Sequence, residues 1–217
     1  MEEDTLVVHE IFASIQGESS FAGLPCGFVR LTGCDLRCVW CDTPQAFFAG
    51  RRMARSDVLA ALLALGTPLV EVTGGEPLLQ PGALSLMREL CDAGRTVLLE
   101  TSGARDISAV DARVHRIVDL KPPGSGESHR VLWSNVERLT KRDEVKFVLL
   151  DRADYEWMRD VIARHALARR AGAIIASCVF GKLQPDALAR WILDDCVPVR
   201  LGLPLHKYVW GSDAKGV

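Results

Sequence analysis

The sequence predicts an α/β fold built on a largely parallel sheet with crossover helices. Three observations carry that expectation. Short runs rich in Val, Leu and Ile recur along the chain, helical periods separate them, and several runs end directly in glycine- or proline-bearing loops. At 217 residues, with no repeat or linker, the chain is expected to form one domain, 1–217. Its 48% hydrophobic and 25% charged residues, with a formal net charge of −2, describe an ordinary globular protein rather than a disordered one. A pI near 6.2 argues against nucleic acid as a partner. Apolar runs fall short of the ~18 residues a membrane span needs, and the acidic start Met1–Asp4 lacks a signal-peptide plan. A cytoplasmic location is expected. In that reducing compartment cysteines serve as ligands, nucleophiles or small buried residues more often than as disulfides.

The elements follow in order. Thr5–Phe12 and Phe28–Leu31 read as strands. Ser56 reads as an N-cap before a helix at Val58–Leu65, which Gly66 stops. Leu69–Thr73 is a strand ending in Gly74-Gly75, followed by a helix over Gly82–Ala93 that Gly94 closes. Thr96–Glu100, Arg116–Leu120 and Val145–Leu150 are further strands, and Lys121–Arg142 is the least regular stretch. Asp154–His165 and Pro185–Leu193 are helices, the second with proline in its first turn. Ala173–Ser177 and Val199–Leu203 complete the strands. Periodicity leaves open whether the sheet is doubly wound or a whole or partial barrel. In either, ligands gather at the C-terminal ends of strands, which selects the loops 33–48, 73–79, 101–105, 121–128 and 177–183.

The first of these loops holds Cys34, Cys38 and Cys41 between Gly33 and Pro44. Their spacing would put three small residues on one helix face, but the flanking glycine and proline suit a loop. A zinc site would want a fourth Cys or His nearby, and an electron-transfer cluster usually draws on four cysteines. Three thiolates would leave one iron of a [4Fe–4S] cluster open.

This C-x3-C-x2-C run, with aromatic Trp40 before its last cysteine, resembles the signature of radical S-adenosylmethionine enzymes. The resemblance implies that Cys34, Cys38 and Cys41 hold a [4Fe–4S] cluster and that its free iron chelates S-adenosylmethionine. It also implies a radical formed by cleaving that molecule, a partial or full (β/α)6 barrel, and Trp40 packed near the adenine. Thr73-Gly74-Gly75-Glu76-Pro77 alone could be an ordinary strand-to-helix turn. Beside the triplet it resembles the same family's GGEP motif, so Gly75 would meet the amino end of S-adenosylmethionine, and Thr73 is a candidate substrate contact.

Ser14-Ile15-Gln16-Gly17-Glu18, Arg30, Cys41-Asp42-Thr43, Lys121-Pro122-Pro123 and Leu205-His206-Lys207 together resemble the 7-carboxy-7-deazaguanine synthase family, over about residues 8–210. The resemblance implies a pared-down barrel that converts 6-carboxy-5,6,7,8-tetrahydropterin to 7-carboxy-7-deazaguanine with loss of ammonia, in queuosine and 7-deazapurine biosynthesis. It implies hydrogen abstraction at C6, ring contraction, and S-adenosylmethionine regenerated at each turnover. A magnesium ion on Thr43, a flavodoxin- or ferredoxin-type electron donor and a homodimer are implied as well. Chemistry agrees for Arg30, whose planar fork suits a carboxylate. It agrees too for Gln16, Glu18 and the backbone of Ile15–Gly17, which could read an aminopyrimidinone edge. His206 would contact substrate, while Lys121, Ser102 and Ser177 would line the cofactor's nucleoside or carboxylate.

Some residues stand apart. Ser19 replaces a glycine the family often has, and residues 211–217 extend past its usual end. Cys26, Cys91, Cys178 and Cys196 lack partners at metal spacing and are expected to be structural, with Cys91 and Cys196 buried. Arg51-Arg52, Lys141–Glu144 and Arg169-Arg170 read as solvated surface. A glycyl-radical-enzyme activase shares the cysteine spacing, and an iron–sulfur electron carrier or a structural zinc protein stays open. Ser14–Glu18 and Leu205–Lys207 argue for the pterin enzyme.

Overall fold

A computed structural model describes residues 3–212, 214 and 216. Nine strands join one sheet in the order β3-β1-β2-β4-β5-β6-β7-β8-β9. β1 (Thr5–Ile15) pairs antiparallel with β2 (Pro25–Leu31) on one side and with β3 (Arg51–Ala54) on the other. From β2 onward every pairing is parallel: β4 (Leu69–Gly74), β5 (Thr96–Thr101), β6 (His115–Asp119), β7 (Glu144–Leu149), β8 (Ala173–Cys178) and β9 (Arg200–Gly202). The sheet does not close between β3 and β9, which is the partial barrel the sequence resemblance implies.

Helices cover the outer face unevenly. α1 (Arg55–Ala64), α2 (Gly82–Asp92), α4 (Arg152–Arg164) and α6 (Pro185–Asp194) are full crossover helices. Between β5 and β6 there is none, and between β6 and β7 only 3-10 turns and the one-turn α3 (Ser134–Glu137). α5 (Leu167–Arg170) follows α4, and α7 (Leu205–Trp210) closes the described fold. Asp151 caps α4 by accepting from the Asp154 amide at 3.0 Å, and Pro185 opens α6. No helix is long and apolar enough to cross a membrane among the described residues.

Strand alternation splits the apolar side chains into two cores. The larger, between sheet and helices, includes Val70, Val72, Leu86, Met87, Leu99, Phe147 and Tyr155. The smaller lies on the inner face, where Cys26, Phe28, Leu69, Leu98 and Ile117 pack together under Phe12 and Phe21. Above that plug, toward the strand C-termini, the inner face turns polar.

Four sequence expectations need correction. Ser56 is not the cap of α1: β3 runs straight into the helix, so extended Ala54 takes that position without a side-chain bond. β3 itself is the Arg51-Arg52 run, still exposed but paired to β1. Lys141–Glu144 is not all solvated, because β7 starts there. Asp143 is buried against Arg116 Nε at 2.7 Å, and Glu144 accepts from the Ser20 amide at 3.0 Å. Cys196 is exposed, just past α6 with φ of +48°, and Cys91 is only half-buried.

Candidate functional site

The strand C-termini surround a cavity of about 540 Å³. Every residue singled out in the sequence reaches its wall: Ile15, Gln16, Gly17, Glu18, Arg30, Cys34, Cys38, Trp40, Cys41, Thr43, Thr73, Gly75, Ser102, Lys121, Ser177 and His206.

The cysteine loop leaves β2 and has no regular structure until a 3-10 turn at Pro44–Phe47. It is anchored by backbone bonds from Gly33 to Ala46 at 2.8 Å and from Val39 to Ser125 at 3.1 Å. Gly75 packs directly under it. A Cβ there would lie 2.2 Å from the Gly33 carbonyl oxygen and 2.8 Å from Cys34 Cβ, so only glycine fits. The three thiols are half-buried, and burial pushes Cys38 up to about 11. Among the described residues no three His, Cys, Asp or Glu side chains converge on a single-ion position. Three soft sulfur donors on one wall, with Lys121 beside Cys38, suit a thiolate-bound cluster carrying a polar ligand.

Glu76 of the glycine motif is fully buried and clamps β4 to β5. It accepts from Leu78 N at 3.0 Å, Thr101 Oγ1 at 2.9 Å, Ser102 N at 2.8 Å and Ser102 Oγ at 2.6 Å. The Ser102 hydroxyl proton is therefore committed to Glu76. Lys121 Nζ donates to Asp119 at 2.7 Å, and Ser177 lies on the wall beside Cys178. Thr43 precedes the 3-10 turn with no side-chain capping bond.

On the same cavity wall residues from the two ends of the sequence meet. Leu205 N donates to the Gly17 carbonyl at 3.0 Å, seating α7 over the loop after β1. His206 Nε2 stands 3.8 Å from Glu18, whose other carboxylate oxygen takes Lys146 Nζ at 2.8 Å. Burial opposes ionisation of Glu18, but Lys146 and then His206 override it and hold its carboxyl at about 2. Arg30 Nε donates to Glu10 at 2.7 Å, while its Nη atoms take no hydrogen bond among the described residues. Gln16 Oε1 accepts from Glu18 N at 3.0 Å and Ser19 N at 2.9 Å, so its side-chain amide shapes the loop.

The sequence reading missed Glu71, Glu100, Asp119 and Lys146, all on the cavity wall. Each is a charge set among apolar strand residues, and that interruption was the available signal. Cys178, expected to be structural, is buried yet also reaches the wall.

Comparisons with known proteins agree with this arrangement. A family model described as the Radical SAM superfamily matches residues 28–124, from β2 past the glycine motif to the Lys121 loop. A 7-carboxy-7-deazaguanine synthase from Chlorobaculum tepidum is 47% identical, with 99% of each chain covered. One from Koribacter versatilis is 44% identical, covering 97% of this chain and 99% of its own. The crystal structure of QueE from Escherichia coli superposes with a TM-score of 0.75 at 24% identity, covering 93% and 95% of the two chains.

Proposed function

The chain belongs to the 7-carboxy-7-deazaguanine synthase family of the radical S-adenosylmethionine superfamily, and from that footing we propose how its own residues perform the family's reaction. The reaction converts 6-carboxy-5,6,7,8-tetrahydropterin to 7-carboxy-7-deazaguanine with loss of ammonia, a step in queuosine biosynthesis. The observation that carries the reading is the meeting of Gly17 and His206 on the wall of the cavity that also holds Cys34, Cys38 and Cys41.

Cys34, Cys38 and Cys41 hold a [4Fe–4S] cluster, and Gly75 and Lys121 receive S-adenosylmethionine beside it with Trp40 along the wall. Bound together, these groups supply the radical that starts the ring contraction. The protein orients the substrate. The free Nη atoms of Arg30 take the pterin carboxylate. The ionised Glu18 carboxylate and the loop backbone at Ile15–Gly17 accept from the aminopyrimidinone edge. Thr73 and His206 complete the walls. Thr43 would give a magnesium ion one oxygen ligand. A flavodoxin- or ferredoxin-type donor supplies electrons, and the enzyme works in the cytoplasm as a homodimer.

Anaerobic incubation of the reconstituted chain with 6-carboxytetrahydropterin, S-adenosylmethionine, reductant and magnesium should yield 7-carboxy-7-deazaguanine by mass. A colourless protein that holds zinc and forms no product would overturn the reading.

A further inference from the structure

Glu71 stands inside the cavity on β4, 2% exposed, and has no part in the scheme above. Its surroundings are unusual for a carboxylate. On one side Gln16 Nε2 donates to its Oε2 at 3.1 Å. The direction of that bond is fixed, because the oxygen end of the same amide already accepts the Glu18 and Ser19 amides. On the other side stands Glu100 of β5, on the same inner face two residues past the Leu98 that pairs with Glu71. Two neighbouring carboxylates can share a hydrogen bond only through a proton. Glu100 is ion-paired with Lys146, which also holds Glu18 at 2.8 Å and stands 3.7 Å from Asp119. Glu71, by contrast, has no ion pair among the described residues, so the proton of this carboxylate pair resides on it.

We propose that Glu71 is a positioning residue whose proton closes a ring of hydrogen bonds and so fixes the Glu18 carboxylate in the cavity. The ring runs from the Glu18 amide to Gln16, from Gln16 to Glu71, from Glu71 to Glu100, and through Lys146 back to the Glu18 side chain. Each donor meets an acceptor, and only a neutral Glu71 can both accept from Gln16 and donate to Glu100. Burial, then the Glu100 charge, pushes Glu71 up to about 8, against the pull of Gln16 and Lys146. The titratable groups facing it are Cys26 from β2, Glu100 from β5 and Lys146 from β7, with Glu18 and Asp119 behind that lysine. Ionising Glu71 sets a buried charge against the half-buried Glu100 and opens the ring.

The ligand's identity rests on the function proposed above, but the ring does not, and the test separates them. Infrared difference spectra of the reconstituted full chain, wild type minus E71Q, should show the carbonyl band of a protonated carboxylic acid below pH 8, fading above it. In turnover, wild-type KM for 6-carboxytetrahydropterin should rise as pH passes through about 8, with kcat little changed. E71Q, whose amide can make both bonds, should keep the lower KM and lose that rise. E71A should raise KM about tenfold at every pH, as expected for ~1.4 kcal/mol of lost hydrogen bonding. Absence of the band, or an E71Q whose KM and pH profile match E71A, overturns the proposal. If no pterin is turned over, the functional reading fails and the band alone decides for or against the ring.

Discussion

A methyl group on Gly17 would come within 2.6 Å of His206 Nδ1 and 3.2 Å of the His206 amide nitrogen. Residues nearly two hundred positions apart therefore form one wall, and the loop after β1 has no room for a side chain there. G17A must push α7 outward or shift the loop. Overpacking of this kind costs roughly 1–3 kcal/mol. The expected result is a KM for the pterin raised by about tenfold or more, with cluster absorption and S-adenosylmethionine binding retained. Trimming the obstacle in G17A/H206A should restore the melting temperature; failure to do so would count against the contact.

Gly75 and the cysteine loop are coupled through contact. G75A drives a methyl group against the Gly33 carbonyl and Cys34. Reconstituted G75A should carry less cluster per chain by iron and sulfide analysis, and C38A should carry none and cleave no S-adenosylmethionine. C196A, remote and exposed, should match the wild type. A full cluster in C38A would exclude the ligand assignment.

Arg30 presents its fork to the cavity because Glu10 holds its Nε. R30A should raise KM for the pterin about tenfold or more, as charge-assisted hydrogen bonds to a carboxylate are worth ~1.5–3 kcal/mol, while leaving cluster content unchanged. E10A should do the same more weakly. A substrate analogue lacking the carboxylate should bind both variants and the wild type alike.

Glu18 sets a pH signature. Its folded carboxyl sits at about 2 against an ordinary value of 4.5, so the stability it contributes is complete above 4.5 and is lost as pH falls toward 2. Thermal unfolding followed across that window should show a steeper loss for the wild type than for E18Q. Equal slopes would mean that the Lys146 pairing is not formed in solution.

Much of this site was legible in the sequence, and what was missed has a physical explanation. Cysteine spacing and the glycine motif lie contiguously in loops, so their chemistry reads directly off the chain. Glu71, Glu100 and Lys146 are far apart in sequence and meet only because parallel pairing aligns β4, β5 and β7 on one inner face. Read along its own strand, none of them shows the partners it meets. β3 was hidden because an edge strand carrying Arg51 and Arg52 has no apolar alternation to show. Ser56 misled because a strand feeding directly into a helix leaves no loop residue to cap it. α7 is six residues long and has no side-chain cap, so nothing local announced it.

The small inner core has a consequence for what this scaffold can be made to accept. Cys26, Phe28, Leu69, Leu98 and Ile117 pack below the polar wall, apart from the core that holds sheet to helices, and Phe28 reaches the cavity. Trimming Phe28 would deepen the cavity beneath the polar ring while sparing the packing of α1, α2, α4 and α6. The space gained is the shape of an added alkyl group, so paired ligand and protein variants could be matched by size. Substrate tolerance in this fold is therefore open to redesign from below, independently of the cysteine loop above.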